Sequence, residues 1–162
     1  MLFKYSNKTA VVTGASRGIG KAIATTLANN GMQVIGIATS EKSLDAIRDI
    51  KNIIPFCCNI SDEKSIEDLY AFVKEHSSNI DILVNNAGIH MDNILLRMKT
   101  EEWKKVLDVN LNGPFYLTRI LLKDMIKNKR GRIINISSIS GTDGNKGQSN
   151  YSASKGGLLA FT

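Results

Sequence analysis

Short, β-branched apolar runs alternate with longer amphipathic segments along the chain. "TAVVTG", "QVIGIAT", "IIPFCCNI", "DILVNNAG" and "GRIINISS" predict five strands. Near-continuous apolar runs of this length, rich in Val and Ile, suit strands buried on both faces. Between them, "GKAIATTLANNG", "EKSLDAIRDI", "EKSIEDLYAFVKEH" and the long "EEWKKVLDVNLNGPFYLTRILLKDMIKNK" carry helical spacing, and a last helix opens near Tyr151. Strand and helix in strict alternation predict an α/β architecture, a parallel sheet covered on both faces, with right-handed crossovers. No repeat, low-complexity tract or linker interrupts the pattern, and Pro55 and Pro114 mark no boundary, so residues 1–162 read as a single domain. One long loop-like stretch, Ser138 to Asn150, follows the fifth strand directly. Ligands of open parallel sheets sit beyond the carboxyl ends of strands, which makes that loop a candidate for function.

Composition narrows the classes. With 43% hydrophobic and 22% charged residues, the 162-residue chain has material for one core. No apolar run approaches the ~20 residues of a spanning helix, and "MLFKYSNKTA" lacks the apolar core of a secretory leader, so the chain is expected in the cytoplasm, away from membranes. The net charge of +6 suits an acidic partner. Its basic residues are scattered rather than gathered into a stripe with interleaved aromatics, which favours anionic cofactors and acidic proteins over nucleic acid. Adjacent Cys57 and Cys58 have neither metal-ligand nor disulfide spacing. They are read as reduced core residues ending a strand, and no metal site is expected.

The first candidate chemistry is "VVTGASRGIGKAIA", which places Gly14, Gly18 and Gly20 between the first strand and the first helix. Glycines there let the backbone approach a pyrophosphate, whose charge the free N–H groups and dipole of the helix end stabilise. The second strand is expected to end near Thr39, where an acidic residue would hold the ribose 2′-hydroxyl of NAD. Here Ala38, Thr39 and Ser40 occupy the tip, with Glu41 only beyond it. Arg17 in the glycine loop is suited to a 2′-phosphate, so NADP(H) is the expected cofactor. The competing arrangement has Glu41 reaching back to the ribose and Arg17 merely solvated.

The second candidate is "QSNYSASKGG", where Tyr151 and Lys155 share a helix face at i and i+4. A cation held ~4 Å from a phenol favours the phenolate by about 4 kcal/mol at an effective dielectric of ~20. That is enough in size to poise a phenol for proton transfer near neutral pH.

Five segments then line up: "TGASRGIG" at Thr13 to Gly20, "NNAG" at Asn85 to Gly88, Asn110 within "DVNLNGPF", Ser138 in "INISSISG", and "YSASK" at Tyr151 to Lys155. Together they resemble the short-chain dehydrogenase/reductase family over nearly the whole chain, which implies a Rossmann-type doubly wound parallel sheet. More narrowly, "VIGIATSE", "NNAGIHMDNILLRMKTEEW" and "GNKGQSNYSASKGGL" are similar to the 3-oxoacyl-[acyl-carrier-protein] reductases of fatty acid synthesis. The resemblance implies NADPH-dependent reduction of a 3-oxoacyl thioester. Tyr151 would be the proton donor, Ser138 would hold the carbonyl oxygen, Lys155 would bind the nicotinamide ribose and tune the tyrosine, and Asn110 would anchor a water of the proton relay. Gly14, Ala15, Ser16, Arg17, Gly18, Ile19, Gly20, Thr39, Asn59, Ile60, Asn86, Ala87 and Gly88 would line the cofactor site with Tyr151 and Lys155.

The same resemblance implies an acidic acyl carrier protein as partner, received through Lys129 and Arg130 of the basic run "MIKNKRGR", and a homotetramer built partly from the long helices. Asn59 stands where many members of the wider family carry aspartate at the adenine contact. His90 is read as a bystander of the substrate site and His76 as surface. Family members continue past "LLAFT" with a further strand, a substrate lid and a last strand, so the sheet is expected to be C-terminally incomplete and this chain by itself poorly active. A reductase of another carbonyl, such as acetoacetyl-CoA or a small ketone, and a non-catalytic nucleotide-binding module are the competing readings.

Overall fold

The computed structural model describes residues 7–162, and its strands β1 (Thr9–Thr13), β2 (Gln33–Ala38), β3 (Ile53–Cys57), β4 (Ile82–Asn85) and β5 (Arg132–Asn135) form one sheet of order β3-β2-β1-β4-β5. Every pairing is parallel. Helices α1 (Gly18–Asn29), α2 (Glu41–Arg48), α3 (Glu63–His76), α4 (Thr100–Leu107) and α5 (Gly113–Lys127) make the connections. The short turn α6 (Ser140–Asp143) and helix α7 (Ser149–Phe161) follow β5. This is the Rossmann-type doubly wound order, which reverses direction between β1 and β4 and opens a crevice there. Residues 1–6, part of the stretch that lacks a leader's apolar core, lie outside the described residues. Among the described residues no helix is long and apolar enough to cross a membrane.

Side-chain alternation divides the core into two. Val11, Ile35 and Leu83 face Leu69, Val73, Leu117 and Leu121 of α3 and α5. Ala10, Val12, Val34 and Val84 face Ala24 and Ala28 of α1 and Leu44 and Ile47 of α2. That period of two is what a strand covered on both faces requires. Helix α1 approaches the sheet through small residues, Gly20, Ala24 and Ala28. A Cβ on Gly20 would run into the Gly14 carbonyl oxygen and Asn86 Nδ2, so only glycine lets the helix start this close to β1 and β4.

Three local expectations are corrected. The segment read as one helix from Glu101 to Lys129 is helical without interruption from Thr100 to Lys127 but widens between α4 and α5 into a π-turn, Asp108–Asn112. Its neighbours α4 and α5 keep their own apolar faces, so the one-residue widening leaves no trace in the hydrophobic pattern. Cys58 is buried as expected, but Cys57 is exposed, because β3 is the edge strand, the position that also tolerates Pro55. The loop after β5 is not wholly irregular, since Ser140–Asp143 closes the turn α6. His76 lies exposed at the end of α3.

Candidate active site

Thr13 ends β1 fully buried, and its hydroxyl does three things: it donates to the Val84 carbonyl (3.2 Å) and accepts from the N–H groups of Asn86 and Ala87 (2.9 Å each). Asn86 in turn donates from Nδ2 to the Thr13 carbonyl at 2.9 Å. The glycine loop after β1 and the Asn86–Gly88 turn after β4 are thereby fastened across the switch point. Between them opens a cleft of about 1480 Å³. Gly14, Ser16, Arg17, Gly18, Ile19, Gly20, Thr39, Asn59, Ile60, Asn86, Ala87 and Gly88 all line it.

Ala15 does not. Its N–H donates to the Ile37 carbonyl at 2.9 Å and its side chain, 0% exposed, packs in the core. A small residue inside a glycine loop reads as lining, but here it is the stitch that ties the loop to β2.

The cleft suits a phosphorylated dinucleotide by its donor set. Helix α1 has no acidic residue in its first turn and no side-chain cap on its first N–H groups, which leaves its positive end open to an anion. Arg17, exposed at the cap position, and Thr39 stand at the rim where β2 ends. Glu41 is turned away: its Oε2 accepts from Arg48 Nη2 at 3.1 Å, and it is not among the cleft residues. At the adenine end, Asn59 Oδ1 accepts from Ser61 N–H (3.2 Å) and Ser61 Oγ (2.8 Å), so its Nδ2 is the group left for a ligand.

Asn110, Ser138, Tyr151 and Lys155 are not part of that lining; they gather beside it, and Gly88 is the joint. A Cβ built on Gly88 would lie 3.3 Å from Asn110 Oδ1 and 3.6 Å from Lys155 Nζ. The π-turn swings Asn110 inward, where it is 0% exposed and its amide is fully used. Nδ2 donates to the Ile89 carbonyl (2.9 Å) and to Ser154 Oγ (3.0 Å), and Oδ1 accepts from Ile89 N–H (2.8 Å). Its side chain therefore holds the β4 loop against α7 and has no donor left for a water.

Lys155 is 4% exposed and its Nζ donates to the Ile136 carbonyl at 2.7 Å. Burial pulls its pKa below the ordinary lysine range. Its Nζ lies 5.9 Å from the centroid of the Tyr151 ring, on the helix face that the i, i+4 spacing implies. Tyr151 opens α7 with its N–H on Asn150 Oδ1 (2.7 Å), and Asn150 Nδ2 donates to the Met91 carbonyl (2.9 Å). Ser138 Oγ accepts from Ser140 N–H at 3.2 Å, which leaves its own hydroxyl proton for an incoming oxygen.

Several residues of the site escape sequence reasoning. Thr13, Asn150 and Ser154 sit inside quoted motifs but act through partners far along the chain. Glu101, Lys104, Lys105 and Asp108 reach the cleft wall only because α4 folds back toward the β4 loop. His90 also lines the cleft, exposed, with Nδ1 3.3 Å from Asp92 Oδ1. Cys58 lines it from below; burial raises its thiol pKa, with the Ser65 hydrogen bond opposing. Among the described residues no group of His, Cys, Asp or Glu could hold a metal ion.

A glycine-loop cleft at the switch point of a parallel sheet, with the helix that carries Tyr151 and Lys155 abutting it, defines a nucleotide-binding α/β protein. The short chain dehydrogenase family model matches residues 8–162, and the chain belongs to that family. It is similar to 3-oxoacyl-[acyl-carrier-protein] reductase FabG of Escherichia coli, 48% identical over 160 residues, covering 98% of this chain and 66% of that protein. The Vibrio cholerae protein of the same name is 49% identical over 157 residues, covering 96% and 64%. A solved metagenomic short-chain oxidoreductase in complex with NADP superposes with a TM-score of 0.91 at 38% identity, covering 96% of this chain and 73% of that one. The chain thus spans 66% or less of the length of these two curated relatives.

Proposed function

We propose that the protein is the NADPH-dependent reductase that converts a 3-oxoacyl thioester on an acyl carrier protein to the 3-hydroxyacyl thioester, in the cytoplasmic synthesis of fatty acids. The observation that carries this reading is the meeting at Gly88 of the dinucleotide cleft with Asn110 and Lys155. Two relatives whose names state the reaction, matched over 98% and 96% of this chain, support the substrate class. NADP(H) is favoured over NAD(H) by Arg17 and Thr39 at the rim and by the engagement of Glu41 with Arg48. When bound, NADPH supplies the hydride.

The chain's own residues do the rest. Ser138 donates its hydroxyl to the substrate carbonyl oxygen, orienting it and stabilising the charge that develops there. Tyr151 gives that oxygen its proton. Lys155, an ammonium held on the Ile136 carbonyl, favours the phenolate that remains and offers its other N–H donors to the nicotinamide ribose. Asn110 fixes the β4 loop and α7 in register, and the widened turn around it frees backbone for the water of the proton relay.

An acidic carrier is met by Lys129 and Arg130 at the end of α5. Arg130 is shared with Asp81, so Lys129 carries most of that docking. A homotetramer is supported by the exposed apolar row Phe115, Leu122 and Ile126 on α5, continued by Phe161.

The test follows NADPH oxidation by the full-length protein with acetoacetyl-carrier protein and with acetoacetyl-CoA. Faster turnover of the carrier-bound substrate with NADPH than with NADH, lost ~10²- to 10⁴-fold in Tyr151→Phe, is the expected result, since that is the size of a general acid's contribution. NADPH binding without reduction of either thioester would overturn the substrate assignment. No binding would overturn the dinucleotide reading.

A further inference from the structure

Lys155 is gripped at both ends by two consecutive residues leaving β5. Its Nζ rests on the Ile136 carbonyl at 2.7 Å, and its own backbone carbonyl accepts a hydrogen bond from Ser137 Oγ at 2.9 Å. The next residue is Ser138. Three residues on, the turn lies backbone against backbone on α7: a Cβ on Gly141 would fall 2.7 Å from the Lys155 carbonyl carbon and 2.8 Å from Gly156 N. Gly141 N–H closes the turn by donating to the Ser138 carbonyl at 2.9 Å. Ser138 is therefore bracketed, by the Ser137 hydroxyl just before it and by the close-packed Gly141 backbone just after it, and both rest on the same short stretch of α7.

We propose that Ser137 is a positioning residue for reduction: it registers the Ser138 turn on the helix that carries Tyr151 and Lys155. A side chain at position 137 that merely filled space would not need a hydroxyl. This one is half-buried and its hydroxyl is spent on a helix carbonyl whose remaining lone pair it takes up. With the hydroxyl gone, the link between residues 136–141 and the Lys155 stretch of α7 is left to the flexible Lys155 side chain and the packing of Gly141, because the remaining bonds of the strand exit, Ile136 N–H to the Asn85 carbonyl and Asn135 Nδ2 to Thr162 Oγ1, lie before Ser137. Ser138 then drifts relative to Tyr151 along the axis that matters for a shared substrate oxygen. A displacement on the scale of 1 Å costs up to ~10²-fold in rate.

This inference rests on the reductase reading, and the experiment separates the two. In the full-length protein, Ser137→Ala, Ser137→Thr and Ser138→Ala are compared with the parent by thermal melting, by NADPH titration and by steady-state kinetics on acetoacetyl-CoA and acetoacetyl-carrier protein. Ser137→Ala is expected to lower kcat ~10- to 100-fold while KM for NADPH stays within ~2-fold, and Ser137→Thr, which keeps the hydroxyl, restores it. Hydrogen exchange at the Ser140 and Gly141 amides speeds up in Ser137→Ala and not in Ser137→Thr. If Ser137→Ala keeps kcat within ~2-fold, or if its loss follows melting temperature and is not rescued by Thr, the positioning role is wrong. If the parent protein reduces neither thioester, it is the reductase reading that fails, and the exchange rates alone then decide whether Ser137 holds the turn.

Discussion

Asn110 tests the construction of the site most directly. Its amide makes three hydrogen bonds of 2.8–3.0 Å at zero exposure: two with Ile89 and one with Ser154. Replacing it with alanine removes all three, strands the Ile89 N–H and carbonyl, and leaves a void where the amide stood. Each net hydrogen bond contributes about 1 kcal/mol, and a stranded buried group costs about 1–3. A loss of roughly 3–5 kcal/mol follows, which for a chain of this size corresponds to a fall in melting temperature of roughly 6–20 °C. Asn110→Asp keeps the acceptor for Ile89 N–H but turns an oxygen toward the Ile89 carbonyl, so it is expected to lie between the two. Turnover in Asn110→Ala is expected to fall by ~10² or more, because the β4 loop and α7 lose their common anchor. KM for NADPH moves much less, since the adenosine half of the cleft is fastened separately through Thr13. The assay is a melt by calorimetry together with kcat and KM at fixed thioester. A melting temperature within ~2 °C of the parent together with unchanged kcat would refute the anchoring role.

Arg17→Ala is expected to raise KM for NADPH about 2- to 5-fold and leave KM for NADH alone, because one exposed cation beside a 2′-phosphate is worth ~0.5–1 kcal/mol after screening; equal losses with both nucleotides would mean Arg17 does not read the phosphate. Lys155 tests the cost of burial. Its folded pKa lies below the ordinary lysine value of 10.5, so the unfolded chain binds more protons between the two values and stability rises with pH across that window. Below the window the penalty is full, and Lys155→Met, inactive in turnover, is free of it. The difference in melting temperature between Lys155→Met and the parent should therefore shift in favour of the parent as pH is raised from 7 towards 10.5, and a pH-independent difference would contradict the assignment. Arg130→Ala removes the counter-ion of Asp81, which is 6% exposed, and is expected to cost about 1–3 kcal/mol in a denaturant melt. Lys129→Ala should leave stability unchanged and raise KM for the carrier-bound thioester but not for the CoA thioester; equal KM changes would remove Lys129 from carrier docking.

The central strands β1, β2 and β4 were legible because strands covered on both faces have little choice but to be apolar throughout, whereas the partly exposed edge strands β3 and β5 were legible from their Ile-rich runs, and the strand order follows from a fold type whose connections are all helical. Gly14, Gly18 and Gly20 were legible because residues without side chains between a strand and a helix have few other uses, and all three line the cleft. What stayed hidden depends on pairings distant in sequence. Glu41 stands close enough to the β2 tip to serve a ribose, and only the position of Arg48 on the next helical turns shows that it does not. Ala15 looks like lining until its N–H is traced to Ile37. Arg130 looks like a free cation until Asp81 is found beside it. The π-turn is invisible to a periodicity of 3.6 because it adds one residue between two helices that each satisfy that period.

The division of labour within the sheet explains why these corrections leave the candidate chemistry standing. The loops after β1, β2 and β3 and the Asn86–His90 stretch after β4 line the nucleotide cleft, while the proposed acid–base residues stand beside it on the π-turn, the loop after β5 and α7. The two meet at Gly88, against which Asn110 and Lys155 lie, and the turn that carries Gly88 is fastened to Thr13 at the end of β1 through Asn86 and Ala87. A substitution on the β2 side should change which dinucleotide is accepted without touching turnover, and one on the α7 side should do the reverse. Such separability follows from placing the crevice where the strand order reverses, because neighbouring loops there diverge to opposite faces and meet only at their bases.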